Sequence, residues 1–409
     1  MMGHKFLRAA TLAFAVFCAM GVAVAEEPTI SVETRQRYPW NGLVDIKFTV
    51  TGKSGGRYDT SFVAKDMVGG TNITMKTIRK SDGSVAAEKE RLLPGSYNWV
   101  WEAAADLPKD FECDRMVVNG KAIYCPLYIV IDLSSGADSE KYPVSYLDEE
   151  PSEGWTDEYK TTKLVLRRIE PGTFKMGDTK NVTMKKTFYM GIFEVTQKQY
   201  CLVTGSSPWE NSNVYKSIGD CFPAVNISWN DIRGNSSVHN WPTIKTVDSN
   251  SFVGRIRSKS GLSIDLPTEA QWEYSVRAGT TTRHYWGNDV AAKYEWFYST
   301  SHCENYCKVG LLQSNPWGLY DTIGNAQEWC LDWFDSLKYG SEIDSEGPSS
   351  PGWNSGFYGR VLRGGDYSEQ LTIFDNLSVF YRSHQSPSSR SFNEFCIFYG
   401  FRVAVTLTE

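Results

Sequence analysis

The chain has 409 residues with 42 basic against 48 acidic side chains, a formal net charge of −6. That balance excludes a surface built to neutralise nucleic-acid phosphates, and no basic run relieves it, because Arg79 to Arg91 mixes Lys and Arg with Asp and Glu as an ordinary solvated surface does. The length accommodates two domains.

His4, Lys5 and Arg8 precede an uncharged run from Ala9 to Val24, and Ala23-Val24-Ala25 supplies a small-x-small cleavage pattern. Residues 1–25 are therefore expected to be a signal peptide, with a mature chain beginning at Glu26 and exported to a periplasm, a cell surface or the medium. The apolar run falls short of the ~20 residues a spanning helix needs, so no transmembrane segment is expected after cleavage. Loss of Lys5 and Arg8 leaves 40 basic against 48 acidic residues, a net charge of about −8.

Cleavage also removes Cys18 and leaves Cys113, Cys125, Cys201, Cys221, Cys303, Cys307, Cys330 and Cys396, an even count that favours disulfides in an exported protein. Cys113 and Cys125 flank Asn119-Gly120, a hairpin-turn signal on which their numbers centre, so a disulfide across two strands is expected there. Spacing does not pair the others.

Val44 to Val50, Tyr97 to Trp101 and Tyr124 to Ile131 show strand-like alternation or β-rich runs broken by Gly, Asn and Asp turns. Residues 28–135 are expected to form a small all-β sandwich, an accessory domain with no catalytic cluster. The polar, acidic stretch over 136–163 reads as a linker to a domain over 164–409. In that domain Leu164 to Ile169 reads as a strand. Thr196-Gln-Lys-Gln199 and Thr268-Glu-Ala-Gln271 fit capping boxes, Ser228-Trp-Asn-Asp231 is a weaker version, and Gly205 and Gly279 stand where the first two helices should stop. Further on, Asn315 to Trp329 packs turn formers among aromatics, which suits a rigid, loop-built site.

Eight segments in order carry a resemblance: Phe174-Lys-Met-Gly177, Glu194-Val-Thr196, Pro223 to Trp229, Leu266 to Tyr274, Tyr285-Trp-Gly287, Asn315 to Trp329, Arg360 to Gly365, and Tyr399-Gly-Phe-Arg-Val403. In them the chain resembles the formylglycine-generating enzyme family, also called sulfatase-modifying factors. The resemblance implies an α+β fold whose second domain is an irregular, C-type-lectin-like unit. Its oxidase members convert a sulfatase cysteine to formylglycine with dioxygen and a copper ion held by two cysteines, and soft thiolates suit Cu(I). Those cysteines lie three and eight residues after the serine of Arg-Gly-Gly-Ser. Here the segment is Arg363-Gly-Gly-Asp366, and the same count gives Glu369 and Phe374. A carboxylate and a phenyl ring cannot make a dithiolate site, so copper is not expected. Cys330 and Cys396 could bring thiolates from elsewhere; the plainer alternative is a disulfide or two packed residues.

The resemblance also implies a calcium held by the side chains of Asn325 and Glu328 and the carbonyls of Ile323 and Ala326, an oxygen set that suits a hard cation. Equally open is a metal-free arrangement in which Asn325 caps a turn and Glu328 pairs with an arginine. His302, Cys303 and Cys307 have poor zinc spacing, and the two cysteines read more readily as one local disulfide or as members of two separate ones. Carried over from the family, Asp366, Glu369, Arg382 and His384, with Trp329 behind them, would line a peptide groove, where they could do acid–base work or bind a polar ligand; against this stands a structural Arg382–Asp366 ion pair with His384 exposed. No Ser-His-Asp, Cys-His or phosphate-loop motif is present. Three functions stay open: a non-oxidising binder of a peptide, protein or glycan, an oxidase or other metal-dependent enzyme with a divergent site, and a structural surface or assembly module suggested by 14 Trp and 22 Tyr.

Overall fold

The computed structural model describes residues 28–39, 41–109, 111, 113, 115–210, 218–235, 241–243, 245–288, 293–294, 306–335, 340–350, 358–365, 377–390 and 399–407. The chain divides into a unit ending at Pro126 and a second starting at Leu127.

The first unit runs β1 (Thr29–Gln36), β2 (Val44–Thr51), β3 (Tyr58–Asp66), β4 (Asn72–Thr74), β5 (Ile78–Arg79), β6 (Glu90–Leu92), β7 (Gly95–Trp101), the single turn α1 (Ala103–Asp106) and β8 (Met116–Tyr124). One antiparallel sheet has the order β1-β2-β7-β5; the other has β4-β3-β6, with β8 also pairing with β3. Strict alternation makes the core. Val44, Ile46, Phe48 and Val50 of β2 point inward, joined by Phe62, Trp99 and Trp101.

Asn119-Gly120 does not turn. It lies in the middle of β8, where Val63 faces Asn119 and Phe62 faces Gly120. Cys113 and Cys125 consequently lie beyond opposite ends of this strand, which is roughly 30 Å long at ~3.3 Å per residue, and both are thiols rather than the expected disulfide. The glycine serves packing instead: a Cβ at position 120 would come within 2.8 Å of Ile30 Cδ1 and 2.9 Å of Val32 Cγ2. Cys201, Cys221 and Cys330 are also thiols. Cys307 is disulfide-bonded, and its partner lies outside the described residues.

The second unit contains β9 (Tyr128–Asp132), β10 (Val144–Leu147), α2 (Glu158–Thr161), β11 (Lys163–Ile169), β12 (Gly172–Met176), β13 (Lys180–Met184), β14 (Phe188–Gly191), α3 (Gln197–Thr204), α4 (Trp229–Arg233), α5 (Phe252–Ser260), β15 (Ile264–Asp265), α6 (Glu269–Arg277), β16 (Gln327–Trp333), β17 (Arg360–Arg363), β18 (Ser383–Gln385), β19 (Tyr399–Gly400) and β20 (Ala404–Thr406). A six-stranded sheet of order β10-β9-β11-β14-β20-β15, the β12-β13 hairpin and a sheet of order β18-β17-β16-β19 frame it. The unit boundary falls earlier than the sequence suggested, because Cys125-Pro126 breaks the Tyr124 to Ile131 run and the continuation pairs with β11. The stretch expected as a linker holds β10 and α2.

Capping chemistry fixes the helices as expected. Thr196, Ser228 and Thr268 each close a full capping box, and Gly205 ends α3 in the left-handed conformation at φ 73°. α6 stops one residue before Gly279, on Ala278 at φ 47°. Among the described residues no helix is long and apolar enough to cross a membrane.

Candidate functional site

The Asn315 to Trp329 segment is bent by successive left-handed residues, Gly318, Asp321, Gly324 and Asn325, with φ of 70°, 52°, 81° and 62°. Buried Asn315 fixes its start. Its amide NH₂ donates to the carbonyls of Ser275 and Val276 at 2.8 and 3.0 Å, and its Oδ1 accepts from the amides of Trp317 and Leu319 at 3.0 Å each. One side chain thereby joins the end of α6 to the turn.

At the other end, Asn325 and Glu328 are both committed to protein partners. Arg402 Nε and Nη2 donate to the two Glu328 oxygens at 2.6 Å each, and Trp272 Nε1 donates to Oε2 at 2.7 Å. Asn325 donates to Glu194 Oε2 at 2.6 Å and accepts from the Cys307 amide at 2.8 Å; the Ala326 amide adds a bond to Glu194 Oε1 at 3.0 Å. Burial would lower the proton affinity of Arg402, but Glu328 more than offsets this and holds it above its ordinary value. Glu194 moves the opposite way: burial, then the charges of Asp321 and Glu328, push its carboxyl well above the ordinary carboxylate range. Glu194, Asp321 and Glu328 thus lie within one buried cluster around the Arg402 guanidinium.

A second network sits on α6. Glu269 and Glu273, one helical turn apart, are both buried. Arg382 grips Glu269 through Nε and Nη2 at 2.6 and 2.8 Å and donates to the Asp335 carbonyl at 2.9 Å. Arg363 pairs with Glu273, lies 3.1 Å from Glu269 Oε1, and donates to the carbonyls of Tyr381 and Val379 at 2.5 and 3.1 Å. The strand that ends in Arg363-Gly364-Gly365 is thus bolted to α6 immediately before the residues where the family's chemistry is expected.

Asp332 of β16 extends this network. Fully buried, it accepts from the Glu269 amide at the start of α6 at 2.7 Å. Burial, then the Glu269 charge, pushes its carboxyl up to about 8, against the pull of Arg360 and Arg382. The Arg360 guanidinium carbon lies 3.5 Å from the ring centroid of Trp333 and 4.3 Å from that of Trp229. Burial and neighbouring Arg233 bring it down to about 9.

The residues expected to line a groove therefore have different fates. Arg382 pairs with Glu269 rather than facing a ligand. His384 is half-buried, with its ring 4.3 Å from that of Phe334, and burial and then the Arg382 charge lower its pKa, so the imidazole is neutral at pH 7. Trp329 is completely buried, donating to the Ile227 carbonyl at 2.9 Å with Tyr399 edge-on at 5.5 Å. Phe334 brings Arg382 and His384 together, since both pack on its ring. Asp366, Glu369 and Phe374 lie outside the described residues, as do His302, Cys303, Cys396 and the expected signal peptide. Cys330 is enclosed, and burial followed by the charges of Asp332 and Glu269 pushes its thiol well above the ordinary range, the opposite of a reactive thiolate.

Sequence reading missed Glu194 and Arg402 as members of one buried charge network, and Glu269, Glu273, Asp332 and Arg363 as members of the other. One signal was available: Glu269 and Glu273 share a helix face, and like charges at that spacing on a buried helix call for cations.

Residues 154–407, more than half of the chain, match the domain family described as "Sulfatase-modifying factor enzyme 1-like domain". A formylglycine-generating enzyme of Streptomyces coelicolor is 31% identical over 195 residues, which cover 44% of this chain and 52% of that enzyme. A formylglycine-generating enzyme of Bos taurus is 31% identical over 154 residues, 34% of this chain and 38% of that enzyme. A protein from Chlamydia pneumoniae named serine/threonine-protein kinase pkn1 is 35% identical over 141 residues, 34% of this chain and 20% of its own length. The match to this chain thus spans about half, or less, of these relatives. Among solved structures, Treponema denticola variable protein 1 aligns over 60% of this chain and 96% of its own at 23% identity and a TM-score of 0.47. Through residues 154–407 this chain belongs to the sulfatase-modifying factor family.

Proposed function

We propose that this is an exported sulfatase-modifying-factor-like protein that has lost copper-dependent cysteine oxidation and binds a peptide or glycan, with a C-type-lectin-like second unit and the β-sheet unit as a spacer or second contact. One observation carries the reading: at the positions where the oxidases hold copper the chain has Glu369 and Phe374. Cys330 offers no substitute, because its thiol is buried and its pKa is raised.

The experiment is to incubate the protein with a Cys-x-Pro-x-Arg peptide, copper and dioxygen, beside a Glu369→Cys/Phe374→Cys variant, and to follow the peptide by mass spectrometry. The native chain is expected to leave the cysteine intact. Aldehyde formed by the native chain would overturn the reading in favour of an oxidase with a divergent site. Immobilised peptide and glycan panels test the other half; failure to retain any of them would favour an assembly module.

Calcium at Asn325 and Glu328 is not part of this reading. A dication there would compete with Arg402, which donates to both Glu328 oxygens, and with the backbone amide that donates to the Asn325 oxygen. EDTA is accordingly expected to leave the melting temperature unchanged. A fall of several degrees, reversed by calcium but not by magnesium, would reinstate the metal.

A further inference from the structure

A cavity of about 300 Å³ opens in the second unit, and none of the residues expected to line the groove is among those that line it. Met184, Leu266, Leu331 and Ala404 form its apolar floor, all of them buried. Its walls are strongly charged yet balanced. Lys186, Lys245 and Arg257 face Asp265, Asp344 and Glu346.

Most of these charges are already matched. Asp265 takes Arg257 Nη2 at 2.7 Å and both Nε and Nη2 of Arg233 at 2.7 and 2.9 Å. Lys245 pairs with Glu346 and also packs on the Trp241 ring at 5.2 Å. Two groups remain. The ammonium of exposed Lys186 has no partner among the described residues. Asp344 uses Oδ1 to accept from the amides of Lys185 and Lys186 at 2.8 and 3.3 Å, while its Oδ2 has no partner among the described residues. The wall carrying Asp344 is held in place, because Thr183 accepts from the Asp344 amide at 2.9 Å and donates its own amide to Glu342 at 2.8 Å.

One unmatched cation and one unmatched carboxylate oxygen beside an apolar floor are the complement of a small zwitterion. A volume at the lower end of ligand pockets holds one such molecule and excludes an oligosaccharide or a peptide. We infer that this cavity binds a free α-amino acid with an apolar side chain, its carboxylate on Lys186, its ammonium on Asp344 and its hydrocarbon on the Met184–Leu266–Leu331–Ala404 floor. The site is additional to the proposed peptide or glycan function and shares no lining residue with the expected groove.

Isothermal titration of the full chain with L-leucine, with 4-methylpentanoate, which lacks the ammonium, and with isopentylamine, which lacks the carboxylate, tests it. Leucine is expected to bind about tenfold more tightly than either one-ended analogue, the scale of one charge-assisted contact. Lys186→Gln should weaken leucine about tenfold while leaving isopentylamine unchanged, and Asp344→Asn, which keeps the oxygen accepting the two amides, should weaken leucine about tenfold while leaving 4-methylpentanoate unchanged. Lys186 is exposed, so its variant folds as the native chain does. Equal binding of all three compounds, no binding of leucine, preference for D-glucose over leucine, or unaltered affinity in both variants would each overturn the assignment. None of these outcomes depends on the peptide or glycan panels.

Discussion

Arg402→Met is expected to destabilise the second unit by about 3–5 kcal/mol, the cost of leaving a buried carboxylate without its counter-charge. Arg402 supplies two of the three hydrogen bonds that Glu328 accepts, the third coming from Trp272, and it also donates to the carbonyls of Gly191 and Tyr320 at 3.0 Å each. The loss therefore has two parts, one electrostatic and one from orphaned carbonyls. Adding Glu328→Gln should recover the electrostatic part only, since a neutral amide needs no cation. Denaturant unfolding of the single and double variants separates the two. A single-variant loss below about 1 kcal/mol would show that the pair is not the keystone the geometry makes it, because exposed pairs are worth no more than that.

The second large effect is a pH dependence carried by Asp332. Its carboxyl sits at about 8 in the folded chain against an ordinary value of 3.8, so the folded state holds a proton that the unfolded state gives up. The protonated acid's stabilisation is fully present below about pH 4 and is lost as pH rises toward 8 and beyond. Each tenfold difference in proton affinity carries about 1.4 kcal/mol, so the loss is on the order of a few kcal/mol. Asp332→Asn mimics the protonated acid and retains an oxygen for the Glu269 amide, so between pH 4 and 8 its stability should fall less steeply than that of the native chain. Glu194 titrates in the same direction and remains in the variant, which keeps part of the slope. Parallel pH profiles for the two proteins would remove Asp332 from the account.

Both effects originate in long-range contacts, and this explains what could be read from the chain. Helices α3, α4 and α6 were legible because a capping box is completed within four residues: Thr196 with Gln199, Ser228 with Asp231, Thr268 with Gln271. α5 went unread although Ser251 caps it and Gly261 ends it, because position 254 is a glycine and leaves the box half empty. Arg382 was legible as an arginine near the family's reacting positions but not as the partner of Glu269, 113 residues away. The turns of Asn315 to Trp329 were visible in its Gly and Asn residues, whereas the ion pair at Glu328 depends on Arg402, 74 residues later.

The Asn119-Gly120 pair was misread for the same reason and has a consequence of its own. Asn-Gly is a weak point in the chemical lifetime of a polypeptide, because the glycine nitrogen can close onto the asparagine side-chain carbonyl and expel ammonia. That ring closure needs a locally folded-back chain. In β8 the backbone is extended and paired with β3, with Ile30 and Val32 packed over Gly120, which keeps the two reacting atoms apart. The packing that prevents a turn at this position therefore also protects Asn119 from ageing to aspartate for as long as the strand holds.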